Sequence, residues 1–545
     1  MRRTRNLLIT TLLCTIAVAM AGAQSVAGRP VTGDNQLYFF MTERCASGTP
    51  PHLSQMEVKT QLSTLIGGAV LAAGRLAGAD DIAAGRAASV TAAALVAVFA
   101  WLLAAELTAS ASAALVAGAA TFMLHGVFVE AAIGFQPKLF MAVFLLAAHL
   151  YCAQRRPFGS GVAAMCAFLC WQPSAVVLAG CGLATLLDRR GSWRAAARLA
   201  AGALLALLAY EAWFALNGAI AEQLHQEWVL AFGAHHDPID WQESLWFLLT
   251  EARGSHAGPH ATPTLFAATA ALLWLAMLAR PSRTLAALRE RPGAVAFWIS
   301  AHLAVAFTVY DHQAHPDLLL VQPYFVVACG IAFGWLAALL RRVPAGGFVT
   351  ALAAALLVAF ALGEARRDVM HRNNAERGLD AQLAQGRLVD LYHDHRGSVW
   401  ILGPVHLLAL NHLDNWVPVG NVGHETHELD MKAYRPLRDG KMPEVILAGR
   451  GLRPGMAGWL VAEYVDVTPQ PLAKDRIRVF IRRLGPGSGF DIGSSPKPAR
   501  GPLPARRPPR PPANNSGTVL GNRGQALNRS TPDPGLSPIM SPISR

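Results

Sequence analysis

The chain has 545 residues, of which 53% are hydrophobic and 15% are charged, and its formal net charge is +12. Soluble globular chains carry about 25% charged residues, so this composition excludes an ordinary soluble protein and indicates a chain that lies mostly in a membrane. The positive charge falls largely in short arginine clusters beside apolar runs, a pattern of membrane orientation rather than of nucleic-acid binding. Six of the seven cysteines lie in apolar runs and only Cys45 falls in a loop, so we predict no disulfide framework.

Apolar runs recur between residues 7 and 363, and a transmembrane helix needs about 20 apolar residues. We interpret 7–23 as an uncleaved first helix, although Ala21-Gly22-Ala23 also resembles a signal-peptide cleavage site. The stretch 160–187 is long for one helix and is interrupted at 171–173 (Trp-Gln-Pro), so we predict two short helices that meet at the proline. Together with the other runs this gives about eleven crossings; those runs are 89–107, 111–129, 139–154, 196–216, 264–280, 293–310, 318–340 and 346–363.

The Gly-rich stretch 61–77 is only moderately hydrophobic, and we predict a helix along the outer surface of the membrane. This choice places every arginine cluster on the cytoplasmic side, as the positive-inside rule requires. Counting the stretch as a crossing would put the clusters at 155–156 and 189–190 outside. The N-terminus is then cytoplasmic, and the external segments are 24–88, 130–138, 217–263, 311–317 and everything after 363.

Residues after 363 change character twice. A charged helix is predicted at 364–393, and short β-like runs follow at 398–403, 444–448, 461–467 and 477–481, which indicates a small α/β domain. Thirteen of the 34 prolines fall after Leu484, so the tail is predicted to be disordered. The fold class is therefore an α-helical polytopic membrane protein with three predicted parts, namely a membrane domain at 1–363, an external α/β domain at 364–484 and a disordered tail at 485–545.

The first external segment, 24–88, carries an acidic motif at 33–38 (Gly-Asp-Asn-Gln-Leu-Tyr). A turn at 48–51 (Gly-Thr-Pro-Pro), a lysine at 59 and an apolar run ending at Gly78 follow it. A carboxylate such as Asp34, just outside a first membrane helix, is costly unless it is used.

This order of elements resembles the first external loop of the GT-C glycosyltransferase superfamily. That group includes protein O-mannosyltransferases, the lipid A aminoarabinose transferase family and the RgtA/B/C/D-like families. Two departures stand out, since Lys59 lacks the two prolines that normally follow and Asn35 replaces a frequent second acid. The resemblance implies sugar transfer from a polyprenyl phosphate by single displacement with inversion. Asp34 would be the base that takes the proton of the acceptor hydroxyl; the alternative is that Asp34 only caps a turn.

Several cations are candidates for binding the donor phosphate, because a cation offsets the charge that develops on a departing phosphate oxygen. Lys59 is the first of them, although a lysine at the start of a surface helix also commonly reaches to the interface. The weaker candidates are Arg44 and Arg75 and, in a late external loop that resembles the family's His-Tyr/Pro region, His312 and His315. A polar hairpin is the alternative explanation for the two histidines.

Four polar residues are candidates for contacting the sugar or the acceptor, namely Tyr38, Glu130, Gln136 and Gln172. Relatives often place an acid before the proline of the second external loop, where this chain has Gln136, and Glu130 is its possible substitute. The loop 217–263 holds several histidines, but no i, i+4 pair of them on a predicted helix, so we predict no metal site and no cofactor, and an acceptor-binding loop instead.

The sequence therefore predicts a bacterial inner-membrane glycosyltransferase with its chemistry on the periplasmic face. Its partners would be a polyprenyl-phosphate-linked sugar, the lipid bilayer and an envelope acceptor (a glycolipid, polysaccharide or protein), with no nucleic acid. The alternatives are a transporter or flippase, against which the scarcity of acids in the apolar runs and the lack of a repeat argue, and a non-catalytic membrane subunit.

Overall fold

The structure is a computed structural model, and its described residues all belong to one compact unit, Met1–Arg483. It describes residues 2–23, 26–188, 193–231, 261–279, 290–310, 315–372, 378–390, 399–402, 406–413, 419–420, 442–448, 462–468 and 477–482, with a few single positions between them. The predicted tail at 485–545 lies outside the described residues, and the domain boundary at 363 stays a prediction.

Helices make up most of this unit. The first eleven are α1 (Arg2–Ala23), α2 (Asn35–Ala46), α3 (Leu62–Leu76), α4 (Asp81–Thr108), α5 (Ala111–Ala120), α6 (His125–Ile133), α7 (Pro137–Ala153), α8 (Pro157–Cys170), α9 (Ala175–Leu187), α10 (Trp193–Leu216) and α11 (Ile220–Leu224). A π-helical turn, His225–Leu230, continues α11. Later helices are Ala261–Ala279, Pro292–Tyr310, Gln322–Leu340, Gly346–Arg372, Leu379–Asp390 and His406–Leu410, and short 3-10 turns lie at Thr121–Met123, Gln172–Ser174 and His315–Leu320.

Five of the described helices are long and apolar enough to cross a membrane, namely Asp81–Thr108, Trp193–Leu216, Pro292–Tyr310, Gln322–Leu340 and Gly346–Gly363. A sixth span is formed if the pair Ala111–Met123 and Gly126–Ile133, bent by 58°, counts as one. Helix lies within each of the eleven predicted segments, and several of these helices are apolar but shorter. The protein is thus a mostly helical membrane protein, and the count of eleven crossings stays a prediction.

The interruption predicted at Pro173 is present between α8 and α9. Trp171 takes an extended conformation after α8, and a 3-10 turn at Gln172–Ser174 leads into α9. Proline has no backbone N–H and its ring clashes with a preceding helical turn, so the helix cannot run through this point. The break places Trp171 and Gln172 side by side at the start of the second short helix.

Helices α8 and α10 approach each other through glycine. A Cβ atom on Gly161 would lie 2.0 Å from the Leu199 carbonyl oxygen, and one on Gly202 would lie 2.1 Å from the Phe158 carbonyl oxygen. Small residues at such crossings let helix backbones come close inside a membrane. This contact fixes α8, and with it the Trp171 turn, against α10.

The predicted surface helix corresponds to α3, whose 15 residues extend roughly 22 Å. That length falls short of the roughly 30 Å hydrocarbon core, which favours a helix on the membrane surface. It packs on α2, where a Cβ on Gly67 would meet the Thr42 side chain at 2.7 Å. Helices α2 and α3 therefore pack closely against each other, and residues 47–61 join them.

Strands after residue 398 form a four-stranded sheet in the order β2-β4-β6-β5, at the predicted β-like runs. The strands are β2 (Val399–Leu402), β4 (Val445–Ala448), β5 (Tyr464–Asp466) and β6 (Arg478–Arg482), with β2 and β4 parallel and the other pairs antiparallel.

The first external segment and the region after residue 398 share contacts and a core. A separate parallel pair joins β1 (Gln55–Met56) to β3 (Val419–Gly420). The buried apolar side chains of α2 also lie in one hydrophobic cluster with those of β2, β4 and β6.

Candidate active site

Asp34 lies at the entrance to α2, directly after a turn in which Gly33 takes a left-handed conformation with φ of +58°. Its side chain is exposed, and its carboxylate makes no capping hydrogen bond to α2. The positive end of a helix dipole stabilises a carboxylate at this position. Asp34 thus does not cap α2 through its side chain, and its carboxylate is open to solvent.

Tyr38 and Lys59 are bonded to each other and experience the charge of Asp34. Tyr38 is one helical turn after Asp34 on α2 and is buried, and the Lys59 ammonium donates a hydrogen bond to its hydroxyl at 3.3 Å. Burial raises the pKa of Tyr38 to about 12, so its phenol stays neutral. Burial opposes the charge on Lys59, but the hydrogen bond to Tyr38 and the charges of Glu57 and Asp34 outweigh it and raise the pKa of Lys59 above its usual value. Lys59 therefore remains a cation on which the Asp34 carboxylate acts electrostatically.

A second cation, Lys138, belongs to the same group of charges and is missing from the candidates predicted from the sequence. It is buried in the first turn of α7, forms an ion pair with Asp317, and lies 4.3 Å from the centroid of the Trp171 ring. The charges of Lys59 and Asp34 both act on it. The available signal was a lysine directly after Pro137 at the start of an apolar helix, a costly position for an unpaired charge.

The predicted sugar contacts Glu130 and Gln136 meet at one carboxylate. Glu130 Oε2 accepts hydrogen bonds from Asn35 Nδ2 at 3.2 Å and from Gln136 Nε2 at 3.1 Å. The Oδ1 atom of Asn35 is buried and has no hydrogen-bond partner among the residues that the structure describes. The amides of Asn35 and Gln136 thus both orient the Glu130 carboxylate.

Gln172 contacts the backbone directly before Lys59. Its Nε2 atom donates to the Val58 carbonyl oxygen at 2.7 Å, so in this structure it holds the backbone next to Lys59. A direct contact between Gln172 and a sugar stays a prediction.

The two predicted histidines fall in the late external loop. His312 lies outside the described residues. His315 begins the turn His315–Leu320, two positions before Asp317, and its side chain is not described. Their contact with a phosphate stays a prediction. In the loop 217–263, residues 232–260 apart from Gln242 lie outside the described residues, and the acceptor-binding role of this loop also stays a prediction.

The chain is similar to known proteins in both sequence and fold. A family model described as DolP-mannose mannosyltransferase matches residues 58–210. The crystal structure of ArnT from Cupriavidus metallidurans bound to undecaprenyl phosphate has a TM-score of 0.60 at 14% identity, covering 86% of this chain and 97% of that chain. This chain therefore has the fold of this ArnT.

Other comparisons agree with this assignment. The apo state of the same ArnT has a TM-score of 0.59 at 15% identity, covering 86% of this chain and 97% of that chain. The apo oligosaccharyltransferase of Archaeoglobus fulgidus has a TM-score of 0.50 at 12% identity, covering 81% of this chain and 69% of that chain. No curated protein matches the sequence. The family match includes Lys59, Lys138 and Gln172, whereas Asp34 precedes it.

Two further predicted phosphate ligands, Arg44 and Arg75, are placed differently from Lys59. Arg44 is buried and donates to the His412 carbonyl oxygen and to Thr49 Oγ1, each at 3.2 Å. Arg75 donates to Asp81 at 2.9 and 2.7 Å and to Glu43 at 2.9 Å. The structure thus pairs these cations with groups of the protein, and their contact with a phosphate stays a prediction.

The carboxylate of Glu43 is also bonded to His412 across the boundary with the C-terminal region. His412 Nδ1 lies 2.9 Å from Glu43 Oε1, and Asp81 and Arg75 face the same pair. The hydrogen bond with Glu43 raises the pKa of His412 above its usual value. Burial alone would raise the pKa of Glu43, but hydrogen bonds from His412 and Ser47 and the charge of Arg44 lower it.

These shifts predict a pH-dependent stability. A raised histidine pKa stabilises the folded chain below about pH 6.5, and this contribution is lost as the pH rises through the folded pKa. The lowered carboxyl pKa adds stability above about pH 4.3, which is lost only at lower pH. We expect the Tm of the purified protein to fall between about pH 6 and pH 8.5, and the curve of the His412→Gln variant to be flatter. Identical profiles for the two proteins would contradict this pairing.

Proposed function

We propose that this chain is a membrane glycosyltransferase that moves a sugar from a polyprenyl phosphate to an acceptor hydroxyl on the periplasmic face of a bacterial inner membrane. The exposed Asp34 carboxylate, whose charge acts on the Lys59 ammonium in a fold shared with ArnT, carries this proposal. Two comparisons support the proposal. The matched family is described as a DolP-mannose mannosyltransferase, and ArnT binds undecaprenyl phosphate. DolP and undecaprenyl phosphate are both polyprenyl phosphates.

The proposed reaction is one displacement at the anomeric carbon. Asp34 takes the proton of the acceptor hydroxyl while that oxygen attacks the anomeric carbon. The bond from this carbon to the phosphate oxygen breaks, and its electron pair leaves with the lipid phosphate, so the configuration is inverted. The Lys59 and Lys138 ammonium groups stabilise the charge on the departing phosphate.

The polar groups around these charges would bind hydroxyls of the sugar or the acceptor. The unpartnered Oδ1 of Asn35 accepts one such hydroxyl, and Glu130, held by two amides, accepts another. The envelope acceptor is best identified by mass spectrometry of envelope glycolipids and glycoproteins with and without the protein. A species that loses one sugar in its absence is the expected result, and unchanged envelopes would contradict the proposal.

One observation favours a second reading, a non-catalytic membrane subunit. Two positions at which relatives carry acids hold the amides Asn35 and Gln136 in this chain. Such a subunit needs no base, so the two readings differ in the effect of changing Asp34. A transporter or flippase, the other alternative, also leaves that carboxylate without a chemical role.

The proposed phosphate site predicts weaker binding of undecaprenyl phosphate after the Lys59→Ala substitution. The loss of a hydrogen bond to a charged group costs about 1.5–3 kcal/mol, so we expect the affinity of the purified protein to fall about 10- to 150-fold. The matched control is Arg478→Ala, which removes a cation exposed on β6 and should leave the affinity unchanged. Equal affinities of the Lys59→Ala variant and the unaltered protein would refute the site.

A further inference from the structure

A second cluster of buried polar side chains lies behind Lys59 and takes no part in the proposed displacement. His52 comes from the first external segment, Tyr210 from α10, and Gln226 and Glu227 from the π-helical turn after α11. All four side chains are buried, with His52 and Gln226 each only 1% exposed. Burying so many polar groups is costly unless each one is bonded, and a fully bonded buried network is rigid.

Every member of this cluster is hydrogen-bonded. The two ring nitrogens of His52 lie 2.9 Å from Gln226 Oε1 and 2.9 Å from Glu227 Oε1. The backbone N–H of Glu57 donates to Gln226 Oε1 at 3.0 Å, which identifies that atom as the amide oxygen. His52 therefore faces oxygen acceptors on both sides.

The same cluster holds the backbone on both sides of Lys59. Gln226 accepts from the backbone of Glu57, two residues before Lys59, and the Tyr210 hydroxyl accepts from the backbone N–H of Gln61, two residues after it, at 2.8 Å. Tyr210 in turn donates to Glu227. Segment 57–61 is thus fastened at both ends to the wall formed by α10 and the π-helical turn.

The bonds within the segment carry this constraint to Lys59 itself. Gln61 Nε2 donates to the Lys59 carbonyl oxygen at 2.6 Å, and the Lys59 N–H donates to Glu57 Oε1 at 3.2 Å. A lysine side chain is a flexible four-carbon stem, so a fixed backbone is what limits the positions of its ammonium group.

We propose that His52, Tyr210, Gln226 and Glu227 form a positioning cluster that sets the place of the Lys59 ammonium at the phosphate of the donor. This inference rests on the proposed function, in which Lys59 binds that phosphate. The four residues do not touch the substrate. They act through segment 57–61, in the way that a supporting shell fixes a binding group.

A double-mutant cycle with undecaprenyl phosphate tests this inference. Tyr210→Phe removes the hydroxyl that bonds Gln61 and Glu227 and keeps the ring beside Phe214, 5.0 Å away between centroids. We expect this variant to bind undecaprenyl phosphate about five- to tenfold more weakly, because the segment loses its bond from Gln61 to Tyr210 and Tyr210 loses its bond to Glu227. In a Lys59→Ala background the same change should alter the affinity less than twofold, because the residue that it positions is gone.

The matched control is Tyr324→Phe, which removes the hydroxyl of another buried tyrosine, bonded to His149 at 3.2 Å in the helical bundle. It should leave the affinity unchanged. If Tyr210→Phe fails to fold, Thr60→Val releases the same segment from the Phe168 carbonyl oxygen, 2.9 Å away, and should show the same dependence on Lys59.

The outcomes separate this inference from the proposed function. An equal loss of affinity with and without Lys59, or no loss in Tyr210→Phe, would overturn the positioning role while leaving the phosphate site intact. An unchanged affinity in Lys59→Ala alone would overturn the phosphate site, and the positioning role with it.

Discussion

Replacing Asp34 by asparagine should lower the rate of sugar transfer by about 10²–10⁴-fold, the usual contribution of a positioned general base. The amide has nearly the same shape as the carboxylate but cannot take a proton from the acceptor hydroxyl. Asp34 is exposed and makes no capping hydrogen bond, so the substitution should leave Tm and expression unchanged. The measurement is the initial rate of transfer from a lipid-linked sugar in a membrane preparation.

The matched control for this variant is Asp380→Asn, which changes an exposed aspartate in the first turn of the helix Leu379–Asp390. It should transfer sugar at the rate of the unaltered protein. Undiminished transfer by a well-expressed Asp34→Asn variant would remove the base from the mechanism. It would then favour the transporter or the non-catalytic subunit.

The Lys138→Met substitution should be the most destabilising single change at the site. Methionine keeps the length of the side chain but removes the charge that pairs with Asp317 in a buried setting. Breaking a buried ion pair from one side costs about 3–5 kcal/mol, because a charge is left without its compensation. We expect a clear decrease in the Tm of the detergent-purified protein, together with weaker binding of undecaprenyl phosphate.

Two further variants test whether the buried Lys138–Asp317 ion pair is the source of this stability. Arg155→Met breaks a more exposed ion pair, with 3.1 Å between Arg155 and Asp188, and should cost less than about 1 kcal/mol. The double variant Lys138→Met/Asp317→Asn removes both charges and should recover part of the lost Tm. If the double variant were as unstable as the sum of the single ones, the ion pair would not be the source of the stability.

The parts of the fold that could be predicted are those that a local pattern determines. Proline at 173 ended a helix because it lacks an N–H, and the β-like runs after residue 398 became strands because they alternate with turns. The order of elements around Asp34 was enough to indicate the GT-C fold. In each case a stretch of neighbouring residues carried the information.

The rest of the site depends on contacts between distant residues, which a single sequence does not encode. Lys138 pairs with Asp317, 179 positions away, and His52 with Glu227, 175 positions away. Arg75 looked like Lys59 in the sequence, as a cation in the same external segment. Only the folded chain shows that Arg75 pairs with Asp81 and Glu43.

The parallel pairing of β1 with β3 has an evolutionary consequence. Gln55, four positions before Lys59, pairs with Val419. The first external segment and the region after residue 398 are therefore joined through their backbones. A hybrid gene that exchanged the region after residue 398 for that of a related protein should therefore also change the proposed binding of the lipid donor at Lys59. Gene recombination should therefore keep these two segments together, and we expect substitutions in one to be accompanied by substitutions in the other.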